Sequence, residues 1–259
     1  MGKYIVYFKS VIIAQMAFRF QFFVEYLSQF IIILVKIFLW ESIIASNSSN
    51  KVIEVNQVIT YFILAGIISQ ITDISLEFAN KIRTGMLSND LIKPVNAVGL
   101  EFTKVIALKI LTIIKFLPVF IVLILIFNKN FLIPNFNFYS LVFLITGIII
   151  SFYIQLFIHT LAFWMTDVSS MNYIVVIFIG IFSGNLIPYH FLPEYIKNIF
   201  ELLPFQFFIN APISTMIGHL SVTNFNNYLA VGMIYIFAFS ILNYFLFKLG
   251  VRKYTAVGG

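Results

Sequence analysis

The chain has 259 residues, 61% hydrophobic and 10% charged, against about 25% charged in an ordinary soluble domain, and its mean hydropathy of +1.01 excludes a water-soluble globule. Sixteen basic and ten acidic residues leave a formal charge of +6, which in so apolar a chain reports membrane topology and gives no reason to expect a nucleic-acid partner. Cysteine is absent from the sequence, which removes disulfides, thiolate zinc sites, iron–sulfur clusters and cysteine nucleophiles together.

Residues 1–20 are apolar but interrupted by Lys3, Lys9 and Arg19, too short and too charged to cross a bilayer alone, so an interfacial helix is expected there. Its polar residues do not gather on one face. The apolar run passes Arg19 into a full-length span without an A-x-A-like site, so no cleavable signal is expected, and no Ser or Thr stands at the sixth position for a myristoylation motif. Crossing the hydrocarbon layer takes about 20 predominantly apolar residues. Six runs qualify, at 21–44, 57–76, 103–127, 138–165, 168–187 and 227–247, all in one domain spanning 1–259. With the N-terminus inside, ten basic residues fall on the cytoplasmic side and three on the outer side, Lys51, Lys129 and Lys197. The positive-inside rule therefore predicts that both termini are cytoplasmic.

Between the second and third spans, the long cytoplasmic stretch contains an elbow at 77–95. Residues 77–85 read as a short helix stopped by Gly85, with Phe78, Ile82 and Met86 recurring every fourth residue beside Lys81 and Arg83. Ser88, Asn89 and Asp90 supply turn and capping chemistry, and Lys93 before Pro94 forces a non-helical residue ahead of the next helix. A simple tether could be far shorter. Such a segment is either an orientation-setting charged loop or a docking surface, and its own helix, cap and proline favour docking.

The outer stretch 188–225 holds Pro188, Pro193, Pro204 and Pro212, too many breaks for a further span. Pro193 can open a surface-lying helix with Ile196, Ile199, Phe200 and Leu203 on one face and Glu194, Lys197, Asn198 and Glu201 on the other. Residues 205–217 are apolar and short, as a re-entrant segment would be. Together these predict an outer helical hairpin at 188–225, a last span at 226–248 and a tail at 249–259.

Several polar residues interrupt the spans. Ser151, Gln155 and His159 stand at i, i+4 and i+8, with Asp167 two turns further along the same face; they line a hydrated path or bond helix to helix, the second being the commoner use. Lys115 lies halfway along the third span, and Pro118 in the next turn removes the hydrogen bond to the Ile114 carbonyl. A kink beside a charge suggests a wet cavity, against the alternative that the lysine snorkels or pairs for structure. Lys36, Lys109 and Asp73 lie nearer the interfaces, and Trp40 with Glu41 reads as an outer-interface anchor.

No G-x-x-x-x-G-K-[ST] loop occurs, and His159, His190 and His219 lack any paired ligand spacing; no catalytic residue and no metal site are expected. Any energy from ATP must come from a partner. The interfacial helix, the elbow with Arg83, Thr84 and Gly85 followed by Leu91, Ile92, Lys93 and Pro94, and the Pro-broken hairpin before the last span resemble the ABC type-2 permeases, the membrane subunits of ATP-binding-cassette exporters. Phe18 with Arg19, and the tail from Arg252 to Gly259, resemble the six-span branch encoded apart from its ATPase.

This resemblance implies an all-α integral membrane fold in a prokaryotic plasma membrane. The elbow would be a coupling helix docking two copies of an ABC ATPase through Glu77, Lys81, Arg83, Gly85, Asp90 and Pro94, flanked by the interfacial helix. A second six-span permease, identical or homologous, would complete a pathway along the first, second and fifth spans for a hydrophobic or amphiphilic cargo. ATP and magnesium would bind the partner, and this chain would bind no cofactor. An ion-coupled secondary transporter would need mid-membrane coupling carboxylates or an internal repeat, and a membrane enzyme would need a catalytic cluster; neither is evident. A passive channel or assembly scaffold stays open.

Overall fold

The computed structural model describes residues 2–15, 19–46, 53–218 and 222–254, and every regular element among them is helical. Phe18, Lys51, His219 and the tail beyond Tyr254 lie outside the described residues. In chain order the helices are α1 (Gly2–Gln15), α2 (Arg19–Ser46), α3 (Ile53–Thr72), α4 (Phe78–Arg83), α5 (Leu87–Leu91), α6 (Ala97–Ile126), α7 (Phe138–Thr160), α8 (Ser169–Phe182), α9 (Glu194–Leu202), α10 (Asn210–Ile217) and α11 (Val222–Lys253). Short 3₁₀ turns follow α7 at Leu161–Phe163 and punctuate the outer segment at Tyr189–Phe191 and Pro204–Phe208.

Among the described residues five helices are long and apolar enough to cross a membrane: Phe23–Ser46, Val55–Thr72, Ala97–Ile126, Phe138–Phe163 and Phe225–Lys253. The fifth expected span, 168–187, is instead the 14-residue α8. At 1.5 Å per residue α8 is about 21 Å long, short of the roughly 30 Å hydrocarbon layer. Its end is fixed by Gly184, whose φ of +87° turns the chain. The Tyr61 hydroxyl donates to the Gly184 carbonyl at 2.9 Å, and the Asn210 N–H donates to the Ser183 carbonyl at 3.0 Å.

Two other boundaries depart from expectation for local reasons. Helix α6 starts at Ala97, well before 103, because the Asn96 side chain caps it, accepting from Val98 N at 2.8 Å and Gly99 N at 3.2 Å. Helix α3 stops at Thr72, and the chain over 73–77 has no regular structure, although Ile74 and Leu76 remain buried. The carbonyls freed at that end find partners. Lys109 on α6 donates to Gln70 O at 3.0 Å and to Asp73 O, placing a cation where a helix C-terminus favours one. The Thr72 hydroxyl is shared between the carbonyls of Ile68 and Phe208, each at 3.0 Å.

The bundle centres on α7, which packs against α11, α3, α10 and the Pro204–Phe208 turn. Close approach is made through glycine. A side chain at Gly147 would collide with the Phe207 carbonyl, and a Cβ at Gly232 would lie 2.8 Å from the Thr146 methyl and 3.1 Å from the Phe207 ring. Gly147 lies nine residues along α7 from Phe138, so Phe207 sits about 14 Å along the helix from its N-terminal end. Residues 204–213 are nearly all buried there.

Gly147→Ala is expected to cost about 1–3 kcal/mol, because the obstructing atom is backbone and cannot rotate away. Gly180→Ala, with nothing within 4 Å of the added atom, should leave the melting temperature of the detergent-solubilised protein unchanged. Equal melting of the two variants would contradict the seating of Phe207 on α7.

Candidate functional site

The elbow consists of α4 and α5, joined at Gly85, whose φ of +78° reverses the chain. Phe78, Ile82 and Leu87 are buried and pin both helices to the bundle. Around them runs a connected set of charges. Lys81 Nζ lies 2.8 Å from Asp90 Oδ2 and 2.5 Å from Glu101 Oε1 on α6, while Lys93 Nζ reaches Asp90 Oδ1 at 2.7 Å. Lys104, one turn beyond Glu101, pairs with Glu77 at 2.5 Å. Glu101 is only 1% exposed, and its Oε2 has no hydrogen-bond partner among the described residues.

These contacts set the protonation of the elbow. For Lys81, burial is the largest single influence and opposes the charge, but the Asp90 and Glu101 carboxylates outweigh it and hold the ammonium above the usual lysine range. For Asp90, burial again acts first and raises the pKa, and the Lys81 and Lys93 ammonium groups reverse the direction and hold it below the carboxylate range. The hydrogen bond from Lys104, reinforced by its charge, lowers Glu77.

Two contacts from elsewhere in the chain complete the frame. His159 Nδ1, at the end of α7, accepts the Ala79 N–H at 3.1 Å, satisfying a donor at the start of α4 that has no partner within its own helix. Arg83 donates to the Thr166 carbonyl at 3.0 Å and lies 3.8 Å from Asp167. Helix α1 packs on α6, where Tyr4 Oη accepts the Asn96 N–H at 3.3 Å, so the N-terminal helix stands beside the elbow.

The residues assigned to docking from sequence thus divide. Lys81 and Asp90 turn inward as framework, Glu77 is paired with α6, Gly85 makes the turn, and Arg83 and Pro94 remain exposed. The exposed tip carries apolar side chains as well: Met86 at 47%, Leu91 at 38% and Ile92 at 83% exposure.

Within the membrane portion, Ser151, Gln155 and His159 are buried in the bundle. Asn243 on α11 reaches the same region and donates to the carbonyls of Tyr153 at 3.0 Å and Phe239 at 2.8 Å. Asp167 does not continue their stripe, because α7 gives way to a 3₁₀ turn and the carboxylate emerges at the surface beside Arg83. Polar space lies on the other side of α3. A cavity of about 280 Å³ opens between α2, α3 and α8, where Lys36 donates to Asn185 Oδ1 at 2.6 Å. A second, of about 410 Å³, lies between α2, α3 and α6 and is lined by Lys115, within electrostatic reach of Glu25. The two share Gln29, Gln70 and Asp73 as walls.

The segment after α8 contributes Asn185, Phe208 and Ile209 to the lining of the first cavity. Pro188 precedes the turn holding Tyr189, whose hydroxyl donates to the Phe182 carbonyl at 2.6 Å. Pro193 stands just ahead of α9, Glu194 opens that helix in an exposed position, and buried Pro204 opens the turn that seats Phe207. Trp40 on α2 donates to the Leu186 carbonyl at 3.1 Å and stacks on Phe191 at 4.6 Å.

Glu101 and Asn185 were not singled out from sequence, and Lys109 was read only as a lysine near an interface. The missed signal for Glu101 was Asn96, which as an N-cap starts α6 early enough to place Glu101 on the helix instead of in the loop. The partners of Lys109 and Asn185 are far away in sequence and leave no local trace.

Lys81→Met should destabilise the protein by about 3–5 kcal/mol by leaving the Glu101 carboxylate buried and unpaired, and the double variant Lys81→Met with Glu101→Leu should recover much of the loss in thermal melts. The pH dependence has a defined sign. Asp90 and Glu77 contribute stability above their unfolded pKa of about 4 and lose it as pH falls, whereas Lys81 contributes below about 10.4 and loses it as pH rises through its elevated value. The melting temperature should therefore be flat across neutral pH and fall at both extremes, with the alkaline fall diminished in the double variant.

A family model described as ABC-2 family transporter protein matches residues 23–258, which takes in the elbow, both cavities and the outer segment. No curated protein matches the chain. Membership carries with it an ABC ATPase subunit as partner and association of permeases as a dimer. With the match covering nearly its whole length, the chain belongs to the ABC-2 transporter family and is an ABC-2 type permease, the multi-pass membrane component of an ABC transporter.

Proposed function

We propose that this chain forms half of the translocation pathway of an ATP-driven exporter in a prokaryotic plasma membrane, with both termini cytoplasmic. It performs no covalent chemistry and binds no cofactor. ATP and magnesium sit on two copies of the partner ATPase, and a second permease of the same fold, identical or homologous, supplies the other half. Six crossings follow if α8, with the outer segment behind it, counts as one: α8 covers part of the bilayer and the re-entrant 204–217 segment fills the outer part. An even number of crossings also agrees with the concentration of basic residues on one side.

The elbow carries this reading. Its base is locked to α6 and α7 by the Lys81 cluster and by His159, while its tip presents Ile92, Met86, Leu91 and Arg83 outward. A rigidly held, partly apolar cytoplasmic knob is what a lever needs: movement of the partner passes through the ion pairs into α6 and through His159 into α7. Transport then consists of switching between inward and outward packings, and ATP and cargo act only through unequal affinity for the two. The cargo reading is a hydrophobic or amphiphilic molecule, supported by the cavity between α2, α3 and α8, whose walls are mainly apolar and whose charged lining is Lys36 and Asp73.

Affinity purification from the native membrane in mild detergent should recover a soluble protein bearing a Walker A motif in roughly stoichiometric amount. Ile92→Glu and Met86→Glu, both on the exposed tip, should lose that protein while melting as wild type. Retention of the ATPase by both variants, or its absence from the wild-type preparation after cross-linking, would overturn the coupling assignment.

A further inference from the structure

Resting on the permease reading, the cavity between α2, α3 and α8 can be assigned a ligand class. Lys36 lies 13 residues beyond Phe23 and 10 before Ser46 on the α2 span, about 20 Å and 15 Å from its ends. A cation at that depth is retained where it lines a pathway or meets a counter-charge. The other two lysines within spans are occupied. Lys109 is spent on the carbonyls at the end of α3, and Lys115 faces Glu25. Among the described residues Lys36 forms no ion pair, and its polar partner is the neutral side-chain carbonyl of Asn185. That bond is exchangeable, because Asn185 lies in the turn after α8 and not within a helix.

The surroundings restrict the ligand further. Ile32 and Val176, both about half exposed, stand on opposite walls of the cavity, with Ser69 and Gln70 as neutral hydrogen-bonding groups between them. We infer that this cavity receives an amphiphile bearing one negatively charged oxyanion, phosphate or carboxylate, whose head displaces Asn185 from Lys36 and whose apolar body lies along α2 and α8. Among the described residues Lys36 is the one ammonium lining the cavity, the Asp73 carboxylate on its wall is offset by the Lys109 charge behind it, and the apolar walls select against a free ion. A cationic amphiphile would meet Lys36 as a like charge and be rejected.

The test uses the purified full chain in neutral maltoside micelles with Trp164→Phe, so that Trp40, one turn from Lys36, is the sole tryptophan reporter. Dodecyl phosphate and dodecanoate should bind roughly tenfold or more tightly than dodecanol, the margin of a charge-assisted hydrogen bond. Dodecylammonium and inorganic phosphate should bind more weakly still. Lys36→Gln should abolish the preference and Lys36→Arg should keep it. Asn185→Ala separates a ligand site from a mere clasp: it should retain or increase anion affinity, whereas a purely structural Lys36 would be impaired equally by Asn185→Ala and Lys36→Gln. Equal affinity for the anionic and neutral probes, or an unchanged preference in Lys36→Gln, would overturn the assignment. Tight binding of inorganic phosphate would overturn its amphiphile part. The isolated chain suffices for these measurements, so their failure leaves the ATPase partnership standing, and failure of ATPase recovery leaves the binding result standing.

Discussion

Irregular backbone within a membrane protein must have its hydrogen-bonding groups satisfied by protein, because hydrocarbon offers no substitute for water. The architecture follows from how that is done at two places. Helix α3 ends early, and Lys109 and Thr72 take up the consequences of its ending. The segment after α8 packs beside α7 and is tied at several points: Asn210 to Ser183, Thr72 to Phe208, and Asn137 to the Thr215 carbonyl. Glycines at 147 and 232 give it room. Since α3 stops short, residues 73–77 can run as a strap to the elbow, and the two cavities open beside that strap. The site geometry is a product of where α3 ends.

The elbow shows how polar residues divide their work. Lys81 reads from sequence as a docking charge, yet its chemistry is used internally: one ammonium bridges a carboxylate on the elbow and one on α6. A buried pair of this kind adds little net stability over an apolar replacement, but it penalises every arrangement that separates its members. It therefore selects one geometry for α4 relative to α6. The outward surface takes its apolar character from Met86, Leu91 and Ile92, whereas Phe78 and Ile82 of the four-residue repeat go into the bundle.

What could be read from sequence was what depends on composition and local pattern. Long apolar runs located the helices α2, α3, α6, α7 and α11, Gly85 marked the turn of the elbow, and prolines excluded a plain span from 188–225. What could not be read depends on partners distant in sequence. The shortness of α8 comes from Gly184 and the contact it accepts from Tyr61; the Ser183-Gly184-Asn185 turn signal was legible but was overridden by the apolar residues on either side of it. Asp167 follows the helical period of Ser151, Gln155 and His159 on paper, but the helix ends before reaching it. The starts of α6 and the pairing of Glu101 turned on a single capping side chain, Asn96, embedded in a segment that otherwise reads as loop.

The order of residues around the elbow also bears on how the protein is made. Asp90 and Lys93 emerge from the ribosome soon after Lys81, Glu101 and Lys104 follow with α6, and His159 and Thr166 arrive only when α7 has been synthesised. A chain arrested before α6 leaves Lys81 without its buried carboxylate, and one arrested before the end of α7 leaves the first turn of α4 without the imidazole that accepts its N–H. The elbow thus becomes rigid late in translation, and an incomplete chain does not present the finished surface.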